Sequence, residues 1–160
     1  MMRIGQGCDF HRFDDTRDRP LMLGGVRIPD AKGLKGHSDA DVLLHAITDA
    51  VLGALAAGDI GQWFPPNDPN YKDADSAELL RTVLESSVAT SWSLGNLDAT
   101  VICETPRLQA YINRMRDCIA SLFEVNSSCI SVKATTSEGM GFTGRGEGIA
   151  AFAALLLLRQ

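Results

Sequence analysis

Histidine occurs only at positions 11, 37 and 45 of this 160-residue chain, and each of the three stands near aspartates. Asp9-x-His11 lies in RIGQGCDFHRF, residues 3 to 13. That stretch alternates as a strand does, with Gly5, Gly7, Asp9, His11 and Phe13 on one side and Ile4, Gln6, Cys8 and Phe10 on the other. Asp9 and His11 therefore point the same way. A histidine from a helix, His45, would complete a three-ligand set with a fourth position open, the arrangement of a catalytic zinc site. Asp49, one turn later on the same helix face, is placed to accept the imidazole N–H that is not used for the metal. A lone D-x-H pair is more often a packed strand end with a solvated histidine elsewhere. The concentration of His37 and His45 among acids shifts the balance towards a site.

A second constellation is Thr135-Thr136-Ser137-Glu138, followed by Gly139-Met140-Gly141-Phe142-Thr143-Gly144-Arg145-Gly146-Glu147-Gly148. Hydroxyls, exposed backbone N–H groups and an arginine suit a phosphate, and Glu138 suits a hard cation such as magnesium. Neither the P-loop nor the dinucleotide glycine pattern is present, so a plain flexible hairpin is an equal reading of this stretch.

Several elements must position these groups. LMLGGVRIP, residues 21 to 29, reads as a hairpin turning at Gly24-Gly25. Ser38 or Asp39 is placed to cap a helix running to about Ala57. Leu44, Ile47, Val51, Ala54 and Leu55 form its apolar stripe, Asp41, His45 and Asp49 the opposite one, and Gly58 stands just past its end. Residues 59 to 73, with three prolines, read as a surface loop without regular structure. Asp75 with Glu78 opens a second helix to about Ala89, and Leu94 to Cys103 is a strand. Pro106 opens a third helix carrying Leu108, Tyr111, Ile112, Met115, Ile119, Leu122 and Phe123 at helical spacing. Ile130 to Ala134 is a strand, whereas IAAFAALLLL near the end fits a buried helix or a strand buried on both faces.

The chain is 45% hydrophobic, which supports one domain over residues 1–160 with a real core. A net charge of −5 with no basic run excludes an electrostatic footprint for nucleic acid or an anionic membrane. Cys8, Cys103, Cys118 and Cys129 show no C-x-x-C pair and are expected to be free thiols. No basic stretch leads into an apolar segment at the N-terminus, and the longest apolar run, Ile149 to Leu158, falls well short of a membrane span. The expectation is a cytoplasmic protein.

Taken in order, Gly5-x-Gly7-x-Asp9-x-His11, His37-Ser38-Asp39-x-Asp41-x-x-x-His45-Ala46-x-Thr48-Asp49, Gly58-Asp59-Ile60-Gly61, Phe64-Pro65 and Lys133-Ala134-Thr135-Thr136-Ser137-Glu138 with the glycine-rich run resemble the 2-C-methyl-D-erythritol 2,4-cyclodiphosphate synthase family. The resemblance covers essentially the whole chain. It implies an α/β fold of the two-layer α+β kind, a mixed β-sheet with helices packed on one face. It also implies a homotrimer, with sheets facing its threefold axis and active sites between subunits. The last segment then becomes a long strand. The implied reaction is a metal-dependent phosphorus–oxygen lyase step of the non-mevalonate isoprenoid pathway. In it 4-diphosphocytidyl-2-C-methyl-D-erythritol 2-phosphate is cyclised to 2-C-methyl-D-erythritol 2,4-cyclodiphosphate, with release of CMP.

Residue by residue, the resemblance makes Asp9, His11 and His45 ligands of zinc, or of manganese or another divalent cation. Glu138 becomes the ligand of a magnesium or manganese at the diphosphate. His37 and Ser38 steady the phosphate end of the substrate, and Thr136 stabilises the transition state. Asp59, Ile60 and Gly61 hold the methylerythritol unit, with Phe64 and Asp68 nearby. Cys103, Arg107, Leu108, Ala134 and Thr135 line the cytidine side, Ser137 is a further substrate-binding residue, and Phe142, Arg145 and Glu147 border an axial cavity suited to a prenyl diphosphate. Two departures are visible: Gln6 stands where some members carry histidine, and Pro66-Asn67 replaces the usual Asp-Thr. The competing readings are a metal phosphohydrolase using the same triad and a non-catalytic protein that binds prenyl diphosphates.

Overall fold

Strand β1 (Met2–Arg12) turns one face to solvent and the other, Gly5, Gly7, Asp9 and His11, inward. The inward face begins with two glycines because a helix lies directly on it. That helix, α1 (Val42–Leu55), presents Ala46, Ala50 and Ala54 one turn apart. A Cβ at Gly5 would stand 1.8 Å from the Ala50 carbonyl oxygen, and one at Gly7 would stand 2.1 Å from that of Ala46. Glycine on the strand and alanine on the helix thus permit an approach closer than side chains ordinarily allow.

The structure, a computed structural model, describes residues 1–16 and 18–160. Strands β2 (Pro20–Leu23) and β3 (Val26–Lys32) form a separate two-stranded hairpin, turning at Gly24 and Gly25, both at positive φ. This is the turn expected from the sequence. After α1 come a one-turn helix α2 (Ile60–Trp63), helix α3 (Ser76–Leu84), strand β4 (Trp92–Ile102) and helix α4 (Ile112–Leu122). Strand β5 (Ile130–Thr135), a one-turn helix α5 (Gly141–Gly144) and strand β6 (Gly148–Arg159) complete the chain. The main sheet has the order β1-β6-β4-β5, antiparallel except for the parallel pair β4 and β5. The last segment is therefore a strand, as the family resemblance implied. Helix α4 connects the parallel pair, as a crossover between parallel strands requires.

Helices α1 and α4 pack against the main sheet and α3 against both of them. Leu43, Leu44, Ile47 and Leu52 of α1 are fully buried, each contributing on the order of 1.5–3 kcal/mol by removal from water. The other face of the sheet exposes Met2, Ile4, Phe10, Phe152 and Leu158. All four cysteines are free. No helix among the described residues is long and apolar enough to cross a membrane.

Several expected boundaries differ. Asp41, not Ser38 or Asp39, caps α1, accepting from the Leu44 N–H at 3.0 Å. The same carboxylate accepts from the Gly24 and Gly25 N–H groups at 2.9 and 2.7 Å, so it joins the hairpin turn to the helix start. It is fully buried rather than part of a polar stripe. Burial and the neighbouring Asp39 push its pKa up to about 6 in spite of these donors. Helix α1 stops at Leu55, and its cap is Ala56 in the left-handed conformation; Gly58, also at positive φ, stands two residues beyond that cap. The segment 59–73 contains α2 and a 3-10 turn at Pro69–Tyr71, each started by an aspartate cap, Asp59 and Asp68. Helix α3 begins on the Asp75 cap but ends at Leu84 instead of Ala89; beyond it the Ser86 N–H and hydroxyl both donate to the Val83 carbonyl, at 3.1 and 2.5 Å, in place of the i→i−4 pattern. Pro106 does not open α4. The chain first buries Leu108 and makes a 3-10 turn at Gln109–Tyr111 before the helix starts at Ile112.

The Gly7→Ala protein is expected to lose about 1–3 kcal/mol of stability or more in urea unfolding, because backbone stands where its methyl must go. Zinc binding, followed by isothermal titration, should weaken in parallel as α1 lifts away from β1.

Candidate functional site

The C-terminal half of β1 delivers Asp9 and His11, and the end of the first turn of α1 delivers His45 to the same point. The Asp9 Oδ2 atom lies 2.9 Å from His11 Nε2 and 3.1 Å from His45 Nδ1, and the two ring nitrogens are 3.2 Å apart. Three donors at 2.0–2.1 Å around a tetrahedral zinc are separated by roughly 3.3 Å. The observed triangle is close to that, so the donor set fits a metal of this size with one position left open. Among the described residues these three form the one group of histidine, cysteine and acid side chains with metal-binding spacing.

The ring orientations agree with this. His11 Nδ1 is 2.6 Å from the Lys35 carbonyl oxygen, which can only accept, so the proton sits on Nδ1 and the Nε2 lone pair faces Asp9 and His45. His45 turns Nδ1 towards the triangle and Nε2 towards the hydroxyls of Ser38 and Ser76, at 3.0 and 2.9 Å. Burial opposes the charge on Asp9, but the hydrogen bonds and positive charge that protonated imidazoles of His11 and His45 would offer it outweigh burial and hold the carboxyl well below the ordinary carboxylate range; a bound cation would take the place of those protons. Burial likewise works against a charged His11, yet Asp9 raises its pKa overall. Asp49 does not reach His45 Nε2 as expected. Its carboxylate accepts the Ile60 N–H at 2.7 Å instead, anchoring the start of α2.

The other predicted residues are distributed around this centre. His37 donates through Nε2 to the Asp68 carbonyl at 2.9 Å, tying the loop 64–75 back to the residues before α1. Ser38 is buried beside His45. Asp59, Ile60 and Gly61 form the start of α2, where Asp59 accepts from the Gln62 N–H at 2.9 Å and is held below its usual pKa by Gln62. Phe64 is buried, with its ring edge-on to Tyr71 at 5.1 Å, and so anchors the loop. Thr136 and Glu138 lie together, the Thr136 hydroxyl donating to Glu138 Oε1 at 2.9 Å, in a turn where Glu138 itself takes positive φ. Glu138 is not in the metal-spaced triangle. Cys103 and Leu108 turn their side chains into the core, whereas Arg107, Ala134 and Thr135 are exposed. Burial drives the Cys103 thiol up to about 11. Phe142 packs edge-on to Phe10 at 6.0 Å, beside Arg145 paired with Glu147 at 2.6 Å.

Residues 2–158 match the sequence profile of the YgbB family. The chain belongs to this family. A YgbB-family relative from Geobacillus kaustophilus, a 2-C-methyl-D-erythritol 2,4-cyclodiphosphate synthase, is 57% identical, covering 100% of each chain. The bifunctional IspDF structure from Campylobacter jejuni superposes with a TM-score of 0.93 at 40% identity, covering 100% of this chain and 43% of that one. The IspF of Plasmodium falciparum, solved as a CDP complex, gives a TM-score of 0.82 at 33% identity, covering 99% of this chain and 97% of that one. The mixed α+β sheet architecture is thus shared with solved members of the family.

Glu104 was not singled out from the sequence. Its carboxylate accepts the Ser137 N–H at 2.8 Å, and the Ser137 hydroxyl in turn accepts from Thr143 at 2.8 Å, bolting the 136–144 turn to the end of β4. The hydrogen bonds from Ser137 hold Glu104 below its ordinary pKa. Its isolation in a Glu-Thr-Pro loop gave no periodicity from which to read this role. The Glu104→Ala protein is expected to lose amide-exchange protection across residues 137–144 while zinc affinity at the triad is retained. Hydrogen-exchange mass spectrometry checks the first and titration the second.

Proposed function

We propose that this chain cyclises 4-diphosphocytidyl-2-C-methyl-D-erythritol 2-phosphate to 2-C-methyl-D-erythritol 2,4-cyclodiphosphate with release of CMP. The observation that carries the reading is the convergence of Asp9, His11 and His45 into a tetrahedral-sized triangle in a member of this family. In this reaction the substrate brings its own nucleophile, its 2-phosphate, so the protein has to position two phosphates and neutralise their charge. A zinc ion held by the triad, and a magnesium or manganese held by Glu138, would supply Lewis-acid stabilisation of the phosphate oxygens. Asp9 remains ionised and balances a cation. His37 and Ser38 border the triad from the side of the 64–75 loop, where they would receive the phosphate end. Thr136, now bonded to Glu138, would turn its hydroxyl to the transferring phosphoryl group. Asp59, Ile60 and Gly61 would take the methylerythritol hydroxyls.

The cytidine-side residues Cys103, Arg107, Leu108, Ala134 and Thr135 lie around the ends of β4 and β5, while the triad lies on β1 and α1. We therefore read the active form as a homotrimer in which one subunit's triad faces another's cytidine side. The apolar outer face of the sheet, with Ile4, Phe10, Phe152 and Leu158 exposed, supports that assembly and suits burial around a threefold axis. On the same reading, a prenyl diphosphate would take the recess lined by Phe10, Arg12, Phe142 and Glu147, with Arg145 outside that lining and paired to Glu147. Free cysteines and the biosynthetic role fit a cytoplasmic enzyme.

The test is to incubate the full chain, with zinc and magnesium, with the cytidylyl substrate and follow products by phosphorus NMR. Cyclic diphosphate and CMP are expected in equal amounts. The His45→Ala protein should lose turnover by about 100-fold or more, the scale of removing one preorganised electrostatic group. Linear 2-C-methyl-D-erythritol 2,4-bisphosphate with CMP, in place of the cyclic product, would assign the attack to water and make the protein a hydrolase. Light scattering should give a mass near three times the 17.2 kDa chain, and Phe152→Asp should release monomers.

A further inference from the structure

The imidazole of His45 needs its proton on one particular nitrogen, and the structure contains a group that decides which. Nδ1 faces Asp9 and His11, so a metal there requires the Nε2–H tautomer. Nε2 lies 2.9 Å from the hydroxyl of Ser76, the first residue of α3, which is 1% exposed. That hydroxyl has one proton, and it is donated to Asp39 Oδ1. The Asp39 carboxylate also accepts the Ser76 N–H at 3.3 Å and the Asp41 N–H at 3.1 Å, so it is fixed against two backbone segments. With its proton given to Asp39, the Ser76 oxygen can only accept from His45. Nε2 must then be the donor, and the Nδ1 lone pair is left for the metal.

Ser38 touches the same nitrogen at 3.0 Å but accepts from the Ala40 N–H at 3.2 Å; the Ser76 hydroxyl lies 3.5 Å away, and among the described residues no carboxylate is hydrogen-bonded to the Ser38 hydroxyl. It sets no tautomer.

We propose that Ser76 is a positioning residue for His45, acting through a His45–Ser76–Asp39 relay that fixes the imidazole tautomer and orientation for metal binding. The inference rests on the metal role given to His45 above. Outer partners of this kind orient a ligand and raise its basicity. The relay also places the support at the end of the 64–75 loop, where the Asp73 and Ala74 backbone pairs with His37 and Asp39 at 2.7 and 2.9 Å. Loop seating and ligand orientation thus share one set of contacts.

The experiment measures zinc affinity of the full chain by competition with a chromophoric chelator, without substrate, together with the visible absorption of the cobalt-substituted protein. Ser76→Ala is expected to weaken zinc binding roughly 10- to 100-fold and to shift the cobalt bands. Ser76→Thr, which restores a hydroxyl, should return affinity towards that of the unaltered protein. Ser38→Ala should stay within a few-fold of it. Turnover lost in Ser76→Ala should return with excess zinc, which a residue acting directly on substrate would not allow. If Ser76→Ala does not fold, Asp39→Asn keeps the shape, removes the charge at the end of the relay, and should weaken zinc severalfold. Unaltered zinc affinity and cobalt bands in a folded Ser76→Ala protein, or an equal loss in Ser38→Ala, would overturn the relay. Because metal is read in the absence of substrate, failure of the cyclase reaction would leave this result intact and separately interpretable.

Discussion

The rest of the structure depends on how closely α1 lies on β1. Strand and helix are in backbone contact at two points, Gly5 against Ala50 and Gly7 against Ala46. A helix separated from the strand by ordinary side chains would sit farther out, and His45 would not reach the ligands of β1. Asp9 and His11 begin where the glycines end, so the strand changes from a seat for the helix to a source of ligands within two residues. Asp41 fixes the remaining freedom of α1 by binding the hairpin turn and the first turn of the helix at once. Packing therefore sets the distance of the helix, and a buried carboxylate sets its start.

The electrostatics follow from this geometry. The chain is acidic overall, with a net charge of −5, yet the proposed substrate carries several phosphates. Nothing in the bulk charge draws such a ligand in. Attraction must come from bound cations and from short-range donors, and the residues are arranged accordingly. One carboxylate is kept ionised between two imidazoles, and a hydroxyl-rich turn is held in shape by Glu104 and Ser137. The site is built to acquire positive charge rather than to carry it.

Much of this was legible in the sequence, because period-2 alternation places Asp9 and His11 on one face and the Gly24-Gly25 pair marks its turn. The family resemblance supplied what periodicity could not, above all that IAAFAALLLL is a strand. What remained hidden depended on partners distant in sequence. A capping pattern cannot show that Asp41 will be chosen over Ser38 and Asp39, since the choice is decided by two N–H groups of the hairpin. Helical spacing puts Asp49 near His45, but the Ile60 N–H is a better-placed donor once α2 folds back. Ser76 follows a capping aspartate and carries no local signal of a role, because only tertiary docking brings it to Nε2 of His45. Local rules succeeded where one element decides and failed where two must meet.

The two imidazoles are braced by different kinds of atom. His11 leans on the carbonyl of Lys35, a main-chain oxygen that any residue at that position would present. His45 leans on Ser76 and, through it, Asp39, which are side chains. One ligand's orientation is therefore indifferent to sequence at its brace, whereas the other's can be altered by a single substitution without touching a ligand. Divergence that retunes metal affinity while keeping the triad intact has an open route at position 76 and none through the side chain at position 35.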